Sequence, residues 1–168
     1  FGPVVYDYEG QRLKLLQGFM LSVDQLRPKS RGYLTLNSRD PRTSPNMFFR
    51  YLSHPTDLQE LVEGVKKMRE LIAQPAFDIL RGREMTPGAD FRTDKEIEQS
   101  VRALTSTDFH PCGTCRMGHD SDAVVDSQLR VHGIEGLRVV DASVMPQIVS
   151  GNLNAPTQMI ASRAADWI

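Results

Sequence analysis

The longest regular pattern in the chain is an apolar stripe at helical spacing. Leu58, Leu61, Val62, Val65, Met68, Leu71 and Ile72 recur every three or four residues, which places them on one face of a helix. Thr56, followed by Gln59, predicts the N-cap and its capping-box partner. Asp57 and Glu60 sit near the start, and Lys66, Lys67 and Arg69 lie further on, as the helix dipole prefers. Gly64 weakens the helix. The stripe reads as core, Met68 included.

The rest of the chain alternates less regularly. Phe19, Leu21 and Val23 alternate with polar or flexible residues up to Arg27-Pro28, which predicts a strand. A second strand is expected over Tyr33–Leu36 and a third over 47–51, after a loop rich in turn formers. Strands so close in sequence imply antiparallel pairing. Residues 75–88 read as irregular. Thr93 with Glu96 repeats the capping-box signal, and Ile97, Val101 and Leu104 mark a short helix after it. Leu137–Asp141 is an apolar strand ending in an acid, and Asn154 is the expected cap of a terminal helix with Pro156 in its first turn. Strands, then helices, then a strand with a helix make the fold class α+β. The chain has no GxG, no P-loop and no GxSxG, so it holds no dinucleotide-binding fingerprint of its own.

Composition narrows the function. Forty per cent of the 168 residues are hydrophobic and 24% are charged, as in soluble globular chains. A net charge of −1 gives no broad attraction to nucleic acid. The cationic run Arg27, Lys29, Arg31 is short and reads as a solvated turn. No apolar stretch approaches the roughly 20 residues of a membrane span, and no signal peptide opens the chain. The start at Phe1-Gly2-Pro3, without Met, predicts that the true N-terminus lies upstream. Cys112 and Cys115 are the only cysteines, too few for a disulfide framework. With no Asn-x-Ser/Thr site, they point to the cytoplasm.

Two segments could carry chemistry. The first runs Phe109-His110-Pro111-Cys112-Gly113-Thr114-Cys115-Arg116-Met117-Gly118-His119. His110, Cys112, Cys115 and His119 are the right donors for zinc, which would make the chain a small zinc-binding interaction module. Against this, His110 and Cys112 are two residues apart and would not project freely to one point. Alternatively, His110 is a lone general base, since imidazole titrates near neutral pH. The second segment is Val149–Thr157, where Asn152 and Asn154 flank a turn into a helix start. Free N–H groups there suit an anion, although a simple Asn-rich cap explains the pattern equally well.

Taken together, the segments carry a signature. His110-Pro-x-Gly-Thr-x-x-Met-Gly118 is followed by Val125-Asp126, then Leu129-Arg130-Val131-x-Gly133. Leu137-Arg138-Val139-Val140-Asp141-Ala142-Ser143-x-Met145-Pro146 and Gly151-Asn152-x-Asn154-Ala155 complete the run. Gln25-Leu26-Arg27-Pro28-x-Ser30-Arg31-Gly32, Tyr51–His54, Ala73–Ala76 and Arg81–Glu84 extend it. The chain resembles the C-terminal part of the glucose–methanol–choline (GMC) oxidoreductases, nearest their choline dehydrogenase-like, FAD-dependent alcohol dehydrogenases, from about Gly18 onward.

The resemblance implies a mainly antiparallel substrate-binding domain over 1–136, with flanking helices. Residues 137–168 would supply the last strand and helix of an FAD-binding domain. The Gly-rich remainder of that domain, roughly two thirds of a full-length member, would lie outside this chain and be its partner. The implied cofactor is FAD, and the implied substrate is a small alcohol, choline-like or another primary alcohol. His110 and Asn152 are the implied catalytic pair. Asp141, Ala142, Asn154, Ala155, Pro156 and Thr157 are the implied cofactor contacts, and Phe109 the implied substrate wall. Both cysteines, His54, His119 and His132 become structural or surface residues. A homo-oligomer and peripheral membrane attachment stay open.

Overall fold

The computed structural model describes residues 2–9 and 12–168, so Phe1 lies outside it. The chain forms two compact units, residues 1–25 with 52–105, and residues 26–51 with 106–168.

In the first unit, strand β1 (Gly2–Glu9) pairs antiparallel with β2 (Arg12–Met20). This hairpin was not anticipated. The strand expected over Phe19–Asp24 is only its tail. Met20 is paired with Gly2, the first residue of β1, so the residues beyond Met20 have no partner on which to continue the ladder.

Helix α1 (Pro55–Ile72) begins one residue before the predicted cap. His54, not Thr56, is the N-cap, and its Nδ1 accepts from the Thr56 N–H at 3.3 Å. Pro55 explains the shift, because its fixed φ and missing N–H suit the first helical position. Helix α2 (Asp94–Leu104) begins as expected, with the Thr93–Glu96 capping box closed in both directions. The stripe of α1 packs on α2: Leu58, Val62, Ile97 and Val101 are buried together. Each fully buried aliphatic side chain contributes about 1.5–3 kcal/mol. The irregular stretch that follows α1 is tied back by Arg69, which donates to Glu84 (2.8 Å) and to the carbonyls of Phe91 (2.7 Å) and Gly88 (3.2 Å).

The second unit holds β3 (Tyr33–Thr35) paired antiparallel with β4 (Asn46–Phe48). The third strand ends early because Arg50 and Leu52 take positive φ, 53° and 57°, which breaks an extended run. The α+β content is as expected, but the strands form two separate two-stranded ladders rather than one sheet. Leu137–Asp141 is not a strand. Its bonds run to one side only, Val131 N–H to Leu137 O and Val139 N–H to Leu129 O, leaving a single bridge between Arg130 and Arg138. Val125, Leu129, Val144 and Ala164 form the core here. Ala164 belongs to helix α3 (Asn154–Ala165).

Gly64 shows why a weak helix former stands in α1. A Cβ there would lie 2.5 Å from Val23 Cγ1 and 3.0 Å from Cγ2. Valine is stiff at χ1 and cannot swing away. Overpacking costs about 1–3 kcal/mol, more than the ~1 kcal/mol that alanine gains in helix propensity. Gly64→Ala should therefore lower the melting temperature of the full-length protein, and adding Val23→Ala should restore most of the loss.

The Asp126 turn supports the second core. Its carboxylate accepts from the backbone N–H groups of Arg130 (3.0 Å) and Gln128 (2.8 Å) and from Arg130 Nε (2.8 Å). The Arg130 N–H bond is the largest cause holding its pKa down to about 2. A carboxyl depressed by folding stabilises above its unfolded pKa, near 3.9, and loses that contribution as pH falls through its folded value. Circular dichroism should record this loss between about pH 4 and pH 2, and Asp126→Ala should make that step smaller, the depressed Asp120 carboxyl contributing the rest.

Candidate functional site

The residues singled out in the sequence all lie in the second unit. The His110 loop is held by backbone bonds from Cys115 N–H to Ser143 O (3.0 Å), Met117 N–H to Val144 O (2.8 Å) and Gly118 N–H to Val125 O (3.0 Å). Its platform is therefore Ala142–Val144, a single 3-10 turn capped by Asp141, whose Oδ1 accepts from Ser143 N–H at 2.7 Å. Gly113 makes the fit possible. Its φ is +90°, and a Cβ there would stand 3.4 Å from Met145 O.

His110 reaches across to the second segment. Leu153 N–H donates to His110 Nδ1 at 3.4 Å. Leu153 is buried, and its carbonyl accepts from Thr157 N–H (3.0 Å) and Thr157 Oγ1 (2.6 Å). The Leu153 residue thus fixes the imidazole on one side and the first turn of α3 on the other. Neither sequence reading named it, because a backbone N–H leaves no mark in residue type. A ring that accepts at Nδ1 carries its proton on Nε2 when neutral. The contact is long, so it biases the tautomer by no more than about 1 kcal/mol.

Asn152 is exposed beside this contact. The expected cap, Asn154, is instead the first residue of α3. Leu153 is the N-cap and supplies no side-chain bond. Asn154 Oδ1 accepts from Gln158 Nε2 at 2.9 Å, so its amide NH2 is left to donate elsewhere. The N–H groups of Asn154 and Ala155 meet no acceptor among the described residues, and Pro156 has none to offer. The result is an open helix N-terminus with donors and no cap.

Phe109 stands next to His110 at φ +62° and is 82% exposed. Its N–H donates to Thr107 Oγ1 at 2.9 Å. A non-glycine residue in the left-handed region costs about 1–3 kcal/mol. Ser150, at φ +34°, is the other constrained residue of the site. Its Oγ accepts from Arg27 Nε at 2.7 Å, so the cationic run is not merely a solvated turn.

The zinc reading does not survive. Among the described residues no group of three or more His, Cys, Asp and Glu could hold a metal ion. His110 Nδ1 faces Leu153 N–H, and His119 is exposed. Burial pushes the Cys112 thiol up, only partly offset by Arg31, the reverse of what a metal-binding thiolate needs. His54 caps a helix and His132 Nε2 meets Gly118 O at 3.1 Å; both are structural.

Comparison with known proteins gives the chain its family. The GMC oxidoreductase C-terminal domain model matches residues 28–161, and the chain belongs to the GMC oxidoreductase family. It is 49% identical, over all 168 residues, to an oxygen-dependent choline dehydrogenase of Escherichia coli O127:H6, of which it covers 30%. An FAD-dependent oxidoreductase from Chaetomium thermophilum superposes with a TM-score of 0.79 at 35% identity, over 84% of this chain and 25% of that one. A pyridoxine 4-oxidase from Mesorbium loti gives 0.80 at 32% identity, over 84% and 28%. The chain therefore spans under a third of the length of these relatives. No helix among the described residues is long and apolar enough to cross a membrane.

Metal analysis of the purified chain should find no stoichiometric zinc. One tightly held equivalent would restore the zinc reading.

Proposed function

We propose that this chain is the C-terminal part of an FAD-dependent enzyme that oxidises a primary alcohol, choline-like, to the aldehyde. Residues 1–136 would form its substrate-binding domain, and 137–168 would complete an FAD-binding domain whose remainder lies elsewhere in the whole protein. A cytoplasmic home and self-association fit this reading. The observation that supports it is the approach of His110 Nδ1 to Leu153 N–H at 3.4 Å, which brings together segments 43 residues apart; Asn152 is the residue before Leu153.

The donor set fits a flavin. The open first turn of α3 offers the Asn154 and Ala155 N–H groups, the Asn154 amide and the positive end of the helix dipole. Those groups suit the pyrimidine edge, where negative charge gathers on reduction. Pro156 and Thr157 shape that turn, and Asp141 and Ala142 supply the platform. When bound, FAD would take up the hydride that leaves the carbinol carbon.

Two side chains would act on the alcohol. His110 would take the hydroxyl proton on Nε2 in the tautomer that carries its own proton on Nδ1, reached by giving up the long Leu153 contact, so that the hydride leaves from a forming alkoxide. Asn152 cannot accept a proton. Its amide donates a hydrogen bond to the substrate oxygen and holds it in line. Phe109 would form one wall for a trimethylammonium group, since a cation is attracted to an aromatic face.

In the full-length enzyme, His110→Ala should slow flavin reduction by alcohol about 10²–10⁴-fold, the usual yield of a general base, with FAD still bound. Near-normal reduction would refute its role. Asn152→Ala should slow it less. The 168-residue chain by itself should neither retain FAD stoichiometrically nor turn over, which flavin absorbance and an alcohol oxidation assay would check.

A further inference from the structure

The cationic run at residues 27–31 is not used by the chemistry above, yet it touches the site. Arg27 Nε donates to Ser150 Oγ at 2.7 Å across 123 residues of sequence. Ser150 holds φ +34°, a conformation L residues seldom keep without support. Two residues later stands Asn152. The run is itself shaped for the contact, because Arg31 Nη1 folds back onto the carbonyls of Pro28 (2.7 Å) and Ser30 (2.9 Å). Arg31 also lies close enough to Cys112 for its charge to draw that thiol down, which sets the run near the His110 loop as well.

We propose that Arg27 is a positioning residue: its bond to Ser150 holds the turn that leads through Asn152 into the His110–Leu153 contact. This rests on the reading of Asn152 as a substrate-binding amide. The guanidinium is well suited, since it is always charged and its Nε–H points along a fixed direction. Ser150 is suited too, because a small hydroxyl tolerates the turn and accepts without blocking the site.

The experiment uses the full-length holoenzyme and reads the limiting rate of flavin reduction by saturating choline, with FAD content and melting temperature measured alongside. Arg27→Gln and Ser150→Ala should each slow the limiting rate about tenfold, the weight of one charge-assisted hydrogen bond, with FAD content unchanged. The double variant should be no slower than either single one. Introduced into Asn152→Ala, Arg27→Gln should have no further effect. Additive slowing, or a loss confined to FAD content or melting temperature, would overturn the proposal. If Asn152→Ala alone leaves the rate unchanged, the underlying reading of Asn152 fails instead, and the Arg27–Ser150 cycle then shows by itself whether those two residues are coupled.

Discussion

The peptide of Leu153 is the point on which the site depends. Its N–H meets His110, and its carbonyl takes two hydrogen bonds from Thr157. The side chain is buried, with only 4% of its surface exposed. The backbone at this position is therefore anchored from three directions. Position 152 on one side and the first turn of α3 on the other inherit that anchoring. A loop alone could not hold His110 against Leu153, because an ordered loop residue costs about 1–2 kcal/mol of backbone entropy. Burying the leucine and satisfying both of its backbone groups offsets that cost where the geometry matters.

The same economy governs the His110 loop. It borrows order from the second core rather than building its own. Val125 and Val144 are fully buried, and the loop bonds directly to the backbone of both residues. Asp141 matters here as a cap for the turn beneath the loop. Its role in the unbound chain is thus architectural, and the cofactor contact proposed for it would use the same rigid turn. One residue can serve both ends, since a carboxylate has two oxygens and the cap uses only one.

Local signals in the sequence were read well at Thr93–Glu96 but not at Thr56 or Asn154, where the N-caps are His54 and Leu153. The Thr93–Glu96 capping box formed as expected, and the stripe of α1 formed its helix, with Leu58 and Val62 in the core while Leu71 is exposed. Besides those caps, the errors fall where a distant partner decides. Alternation at Phe19–Val23 suggested a strand, but a strand needs a ladder, and β1 runs out at Gly2. Leu137–Asp141 has strand composition with pairing on one side only. At the site, the matched signature pointed to His110 and Asn152, while Leu153 was not singled out and Arg27 was read as part of a solvated turn. One acts through its backbone, and the other through a bond spanning 123 residues. Neither feature follows from residue type or spacing.

Phe109 connects strain to the proposed chemistry. A phenylalanine at φ +62° is held against a cost of about 1–3 kcal/mol, and glycine would remove it. The Thr107 hydroxyl accepts the Phe109 N–H and steadies the bend, but one such bond contributes only about 0.5–1.5 kcal/mol. Fold stability alone gives little reason for an aromatic residue there, since Phe109 is 82% exposed. The strained backbone does two things that glycine could not do together. It turns the chain next to His110, and it carries a ring on the residue before the imidazole. On the proposed reading, that ring is the face against which a quaternary ammonium would rest, so the local strain is the cost of placing base and wall on adjacent residues.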